Sequence, residues 1–294
     1  MTELRSGPPA LRWTHAGGTI DCSRGHLVGI VNATPDSFTD EGAHFGVERS
    51  VAHGLRLAAQ GASVVEVGGE SLRFSPQSPV EVEIERVVPV VRELVRRLEV
   101  PVAVDTFKAP VAEAAIEAGA GILNDPTGLR DPAMLHVAAA SRVGVVLTHF
   151  VGPPKVRPAS FADGDLTQQV LDWARRELER AAAAGIDPER IVVDPGVGLG
   201  KSPAQDLELL RRIGELTALG RPIFVPISNK KVIGAVTGAP AKQRLAGTAA
   251  GLVWCRSQGA TIFRVHNVRF LRRALEMADA LVTGAPAAWH DVVR

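Results

Sequence analysis

An excess of charge of either sign, paired cysteines and long apolar runs are all missing from this 294-residue sequence, and each shortage removes a class of function. The formal net charge is +1 with no block of like charges, so a dedicated nucleic-acid or membrane-surface role has little support, while a small anionic ligand stays open. The only cysteines, Cys22 and Cys255, are far apart and in no metal-type spacing, which argues against a zinc site and fits a reducing compartment. Glu3 and Arg5 interrupt the N-terminus, and no later segment is uninterrupted apolar for a membrane-spanning length. A soluble, cytoplasmic protein is expected. What is present is a 46% hydrophobic content, enough to fill the core of one barrel-sized domain.

Residues 1–26 carry Pro8, Pro9, Gly17 and Gly18 around short segments such as GTIDC, the pattern of a disordered start followed by a hairpin, and no chemistry is assigned to them. From residue 27 to 294 short β-branched runs alternate with longer helical stretches, the signature of right-handed βαβ units around a parallel sheet. Eight strands are expected, at 27–32, 63–68, 101–105, 120–125, 144–149, 190–194, 222–228 and 260–266. Helices are expected at 46–60, 79–98, 109–118, 131–141, 164–184, 203–213, 240–257 and 268–282. Asp131 before Pro132 and Ser202 before Pro203 read as N-caps with proline at the first helical position. Gly61, Gly119, Gly185 and Gly259 each sit just past a helix, where a left-handed residue can end it. The fold class is therefore α/β, a single (β/α)8 TIM barrel with a short N-terminal hairpin extension.

Polar residues fall where such a fold assembles its site. Asn32, Glu66 with Glu70, Asp105, Asn124 with Asp125, His149, Asp194, Lys230, and Arg264 with His266 all lie at or just past the carboxyl ends of apolar runs. Any one of them could simply cap the next helix, but recurrence after every strand favours a shared active face. Asp105, Asn124, Asp194 and Lys230 come from four strand ends and offer acceptors, an amide and one cationic donor, a set suited to the edge of a flat heteroaromatic ring. Arg264 and His266, two apart on the last strand, can point the same way, and Asn32 ends the strand that closes against it. These three read as an anion corner, to which Arg73 in the loop after the second strand could add a fork-shaped donor. The loop DPGVGLGKS at 194–202 is not a phosphate-binding P-loop, because Pro195 stands where the first glycine is required. Its glycines read as backbone clearance beside a bound ring, and Lys201 as structural or solvent-exposed.

The chain resembles the dihydropteroate synthases from residue 27 to about 283. NATPDSFTDEG looks like that family's first loop and EVGGESLR like its second. VDTFKAPVAEAAIEAGAGILND, IVVDPGVGLGK, SNKKVIG, GTAAG and RVHNV follow in the family's order. The resemblance implies condensation of a pterin carrying a methylene pyrophosphate with p-aminobenzoate, releasing pyrophosphate, with magnesium, in a homodimer. By position, Asp105, Asn124, Asp194 and Lys230 would hold the pterin, and Asn32, Arg264 and His266 the pyrophosphate, Asn32 through the metal. Phe38 and Asp40 match a loop that closes over the reacting centre, Arg73 matches a second mobile loop, and Asp40, Lys230 and Arg264 would be catalytic.

Departures from the family pattern gather on the amine side. Leu72 and Phe74 replace the threonine and proline of ESTRPG, Asn229 and Lys231 replace the arginine and serine of SRKS, and Asn267 replaces the aspartate of RVHDV. Pro226 stands for a small residue, and THFVGPP for HMRGTP. The serine's place is associated with the aminobenzoate carboxylate, a contact Lys231 could also make. An ordinary synthase is the first expectation; a paralogue using a different amine, or a pterin-binding protein without this activity, are the alternatives.

Overall fold

In the computed structural model, which describes residues 11–34, 46–70, 77–152, 154–156 and 164–284, the valine-rich runs become eight parallel strands buried on both faces. An antiparallel hairpin, β1 (Arg12–His15) and β2 (Gly18–Asp21), precedes them. The parallel strands are β3 (His26–Asn32), β4 (Val64–Gly68), β5 (Val102–Asp105), β6 (Ile122–Asp125), β7 (Gly144–Thr148), β8 (Ile191–Asp194), β9 (Phe224–Val225) and β10 (Ile262–Val265). They pair in the order β8-β7-β6-β5-β4-β3-β10-β9, and a bridge between Val193 and Ile223 joins the two ends. Outside run α1 (Val47–Ala59), α2 (Val80–Arg97), α3 (Ala109–Glu117), α4 (Pro132–Ala140), α5 (Leu166–Ala183), α6 (Pro203–Arg211), α7 (Lys231–Thr237), α8 (Leu245–Ser257) and α9 (Val268–Thr283). The architecture is the (β/α)8 barrel that the alternation predicts.

Two apolar layers follow from the period of two along each strand. Outward residues such as Val31, Val67, Val104, Leu147 and Val265 pack against the helices. Inward, each barrel strand contributes one residue to a second cluster: Val28, Val64, Ala103, Ile122, Val146, Val192, Phe224 and Ile262. Trp13 and Cys22 of the hairpin segment complete that cluster, so the hairpin closes the floor of the barrel. The Trp13 indole nitrogen donates to the Arg190 carbonyl at 3.1 Å, which satisfies the one polar atom of a 1% exposed side chain.

The boundary signals act as written in the sequence. Asp131 caps α4 by accepting from the Ala133 amide, and Ser202 with Gln205 forms a full capping box on α6. The four helix-ending glycines have φ between 90° and 106°. Three elements differ from expectation. The ladder of β9 with β10 is confined to Phe224 and Val225, because the flanking Pro222 and Pro226 have no N–H to give to it. A short helix, α7, follows it at a place read as loop, and α8 starts at Leu245 rather than at 240, after a single 3-10 turn over Ala241–Gln243.

Candidate functional site

Two residues beyond the inward apolar layer, the same parity brings the next side chains of each strand toward the carboxyl-end mouth. They are Ile30, Glu66, Asp105, Asn124, Thr148, Asp194, Pro226 and Arg264, six of them polar. An apolar floor therefore carries a polar ring directly above it.

Arg264 ties this ring together. Its Nε donates to Glu66 Oε1, and its Nη2 donates to Asp105 Oδ2 at 2.6 Å. The other oxygen of Glu66 accepts from Asn124 Nδ2 at 2.8 Å. One guanidinium is thus shared between two carboxylates. Burial, with Glu66, Glu83 and Asp125 adding their negative charge and Arg264 opposing, pushes the Asp105 carboxyl up to about 7. Burial likewise raises Asp194 to about 6, although its Oδ1 accepts from the Gly196 amide at 2.7 Å. Lys230 caps the start of α7, and burial lowers its pKa against the attraction of Asp194. Its ammonium makes no hydrogen bond to any described residue. Asn124 Oδ1 and Thr148 Oγ1 are buried with no partner among the described residues. The mouth is therefore a wall of acceptors with two cations, the polarity that a ring edge bearing N–H donors and acceptor nitrogens would satisfy.

β3 and β10 pair directly, so Asn32, Arg264 and His266 stand on adjoining strand ends. The Arg264 guanidinium is turned inward onto Glu66 and Asp105, which makes it common to the ring set and the anion set. His266 Nδ1 lies 2.9 Å from Ser228 Oγ. Asn229, next in the chain, has φ 57°, a left-handed conformation that asparagine tolerates better than a long side chain. Arg244 holds this turn by donating to the Asn229 and Lys230 carbonyls at 3.1 and 3.4 Å. Lys231 is exposed at the first position of α7. Phe38, Asp40 and Arg73, with Asp36, Leu72 and Phe74, lie outside the described residues.

The glycines of 196–200 serve this chain's own packing. A Cβ on Gly196 would stand 1.8 Å from the His149 carbonyl oxygen, and one on Gly200 2.5 Å from that of Val151. Only Gly198 clears a site group, since a Cβ there would lie 3.3 Å from Lys230 Nζ. Lys201 is buried and donates to the carbonyls of Gly196, His149 and Leu199 at 2.8, 3.2 and 3.3 Å, a structural tie.

Parity removes two strand-end residues from the mouth, Asp125 and His149, and ion pairing past the end of β4 engages a third, Glu70. Asp125 faces away and accepts from Thr127 N, Thr127 Oγ1 and Leu129 N. His149 packs edge-on against Trp173 of α5, ring centroids 5.0 Å apart, and burial drops its pKa to about 3. Glu70 is bound by Lys108 and Lys155, and Lys108 also reaches Glu83 at 2.8 Å. Glu66 and Thr148 are the site residues that the ring set from sequence omits, and counting in twos from Val64 and Val146 would have found both.

A mouth of this make, on a closed barrel, defines a protein that holds a flat polar ring; the chain belongs to the family described as "Pterin binding enzyme", whose profile matches residues 28–266. Its relatives are dihydropteroate synthases. The Escherichia coli (strain K12) protein of that name is 35% identical, covering 91% of this chain and 95% of that one. The "Inactive dihydropteroate synthase 2" of Mycobacterium tuberculosis (strain H37Rv) is 39% identical over 91% of this chain and 86% of its own. A solved structure of dihydropteroate synthase from Xanthomonas albilineans in complex with 7,8-dihydropteroate superposes with a TM-score of 0.83 at 41% identity, covering 94% of this chain and 100% of that chain.

Proposed function

We propose that this chain is a dihydropteroate synthase-type transferase, joining 6-hydroxymethyl-7,8-dihydropterin pyrophosphate to p-aminobenzoate and releasing pyrophosphate. The observation that carries the reading is the acceptor wall of buried Asn124 and Asp194 and half-buried Asp105, with Lys230 and Arg264 at the same barrel mouth. The amino group and ring N–H of a pterin would meet the carboxylates, and its carbonyl and ring nitrogens would meet Lys230. Each buried bond to a charged group contributes on the order of 1.5–3 kcal/mol.

The amine nitrogen attacks the pterin methylene, the carbon–oxygen bond breaks with its electron pair leaving on pyrophosphate, and the new ammonium then loses its proton. An arylamine attacks as the neutral species, so no strong base is required. Arg264 and His266 stabilise the charge that gathers on the leaving group. Asp40 would face the developing ammonium in this reading, and Phe38 and Arg73 would close over the site to exclude water. Magnesium belongs to the proposal. Asn32, at the end of β3, would hold the ion through its side-chain amide, and the ion would neutralise charge on the pyrophosphate.

The protein acts in the cytoplasm as a homodimer in this reading. Support comes from two buried free thiols, Cys22 and Cys255, and from Trp254, Phe270, Met277 and Leu281, which leave apolar surface exposed on α8 and α9. No described helix is long and apolar enough to cross a membrane, and the near-neutral charge gives nucleic acid no footprint.

The test is to mix the protein with magnesium, the pterin pyrophosphate and p-aminobenzoate and to follow pyrophosphate together with the condensed product. Stoichiometric product is expected. A second reading, a pterin-binding protein that uses another amine or none, is favoured by Lys231, Leu72 and Phe74 and by the 39% identical relative named inactive. Turnover with a different amine only, or pterin binding without turnover, would establish it.

A further inference from the structure

We propose that Glu66 is a positioning residue that fixes which edge of the Asn124 amide faces the ring pocket. The inference rests on the reading of the mouth as a pterin site. Glu66 is 1% exposed and stands on β4, one inward position above the apolar floor. Its Oε2 takes a hydrogen bond from Asn124 Nδ2 at 2.8 Å, and its Oε1 takes one from Arg264 Nε. A carboxylate accepts and does not donate, so Asn124 must turn its nitrogen to Glu66. The amide oxygen then has one direction left, and Oδ1 is the atom found buried without a partner among the described residues. An orphaned buried carbonyl is unfavourable until a donor arrives, so the pocket presents an acceptor to a ring N–H at this point.

An amide alone cannot make that choice, because its two ends are nearly the same in shape and either could face the ligand. The selection of a donor-bearing ring edge over an acceptor edge therefore lies one residue behind the contact. Glu66 also anchors Arg264 through both Nε and Nη2, and Nη2 is shared with Asp105.

Glu66→Gln isolates the effect on Asn124. Glutamine keeps the size and keeps an oxygen for Arg264 Nε, but it presents an NH2 to Asn124. The asparagine must then turn its oxygen toward residue 66 and its nitrogen toward the ring. Calorimetry of the full-length protein with 6-hydroxymethylpterin should show affinity weakened by at least about tenfold in Glu66→Gln, as a donor meets a donor. The double variant Glu66→Gln/Asn124→Asp returns an acceptor to the pocket and should recover most of that loss. A purely structural role for Glu66 would predict no recovery, because the second change adds a further disturbance. Equal affinity in wild type and Glu66→Gln, or a double variant no better than the single, overturns the proposal.

A second readout needs no ligand. Hydrogen exchange of the Asn124 side-chain amide, assigned by its loss in Asn124→Asp, should be slow in the wild type and fast in Glu66→Gln, where the NH2 group faces the open mouth. Equal protection in both overturns the proposal whether or not pterin binds. Failure of the wild type to bind the pterin, with the difference in exchange present, overturns the proposed function and leaves the role of Glu66 standing.

Discussion

Lys230→Met should separate affinity from stability. Lys230 is half-buried, and desolvation of its ammonium depresses its pKa even though Asp194 attracts it. In the free protein it makes no hydrogen bond to any described residue, so its desolvation is only partly offset. Removing one hydrogen bond from a charged group to a bound ring costs about 1.5–3 kcal/mol, which is about a ten- to hundredfold loss of pterin affinity. Methionine preserves the unbranched stem that lies against Gly198, where a Cβ would come within 3.2 Å of Lys230 Cδ, so no cavity opens. Because the variant no longer partly desolvates an ammonium without a hydrogen bond, its urea midpoint should stay the same or rise. Calorimetry with 6-hydroxymethylpterin and equilibrium urea unfolding of the same preparations give both numbers. Unchanged affinity, or a fall in stability greater than about 2 kcal/mol, would refute the argument, since the second result would make Lys230 a structural tie like Lys201.

Three further outcomes follow from the same structure. Trp13→Ala empties the floor of the barrel and breaks the bond to Arg190, so urea unfolding should show a loss of about 3–5 kcal/mol, with ring affinity of the folded fraction kept. Asp105 and Asp194 titrate near 7 and 6 when folded, above their ordinary values, so the folded state holds more protons than the unfolded chain over that range. Stability of the free protein should therefore decline as pH rises from about 4 to about 7. Asp194→Asn should flatten the slope, and a slope that climbs instead would contradict the assignment. Ring affinity should rise over pH 6 to 7 as the carboxylates ionise and accept from ring N–H groups. Lys108 serves both Glu70 and Glu83 whereas Lys155 serves Glu70, which also accepts from Ser78 N. Lys108→Met should thus destabilise by about 3–5 kcal/mol and Lys155→Met by less, in paired denaturation curves.

Much of this fold can be read before any coordinate is known, because the signals that define it are local. Asp131 and Ser202 start helices by hydrogen bonds within a few residues, and the valine-rich runs need only burial on both faces to become strands. β9 and α7 escape that reading. Phe224 and Val225 sit between two prolines, so the ladder is cut short by missing N–H groups that an apolar count does not register. The site divides in the same way. Asp105, Asn124, Asp194 and Arg264 are visible as polar ends of strands, but whether a strand-end residue faces in or out is a matter of parity. His149 and Asp125 look as eligible as Asp194 until the count in twos turns them away from the mouth. That one guanidinium serves both Glu66 and Asp105 is a fact about three strands meeting across a barrel, which no spacing along the chain encodes.

The hairpin floor has a kinetic consequence. With Trp13 and Cys22 packed under the inward apolar layer, the described residues leave the carboxyl-end mouth as the way in, so whatever lies deepest would enter first and leave last. A ring seated on Asp105, Asn124 and Asp194 would be covered by any partner that reacts at its outer edge. For the proposed reaction, the two substrates would then bind in order. Steady-state kinetics should show the pterin as the leading substrate, and a dead-end pterin analogue should compete with it while acting as a noncompetitive inhibitor toward the amine. An amine analogue should raise the retention of the ring by standing over it.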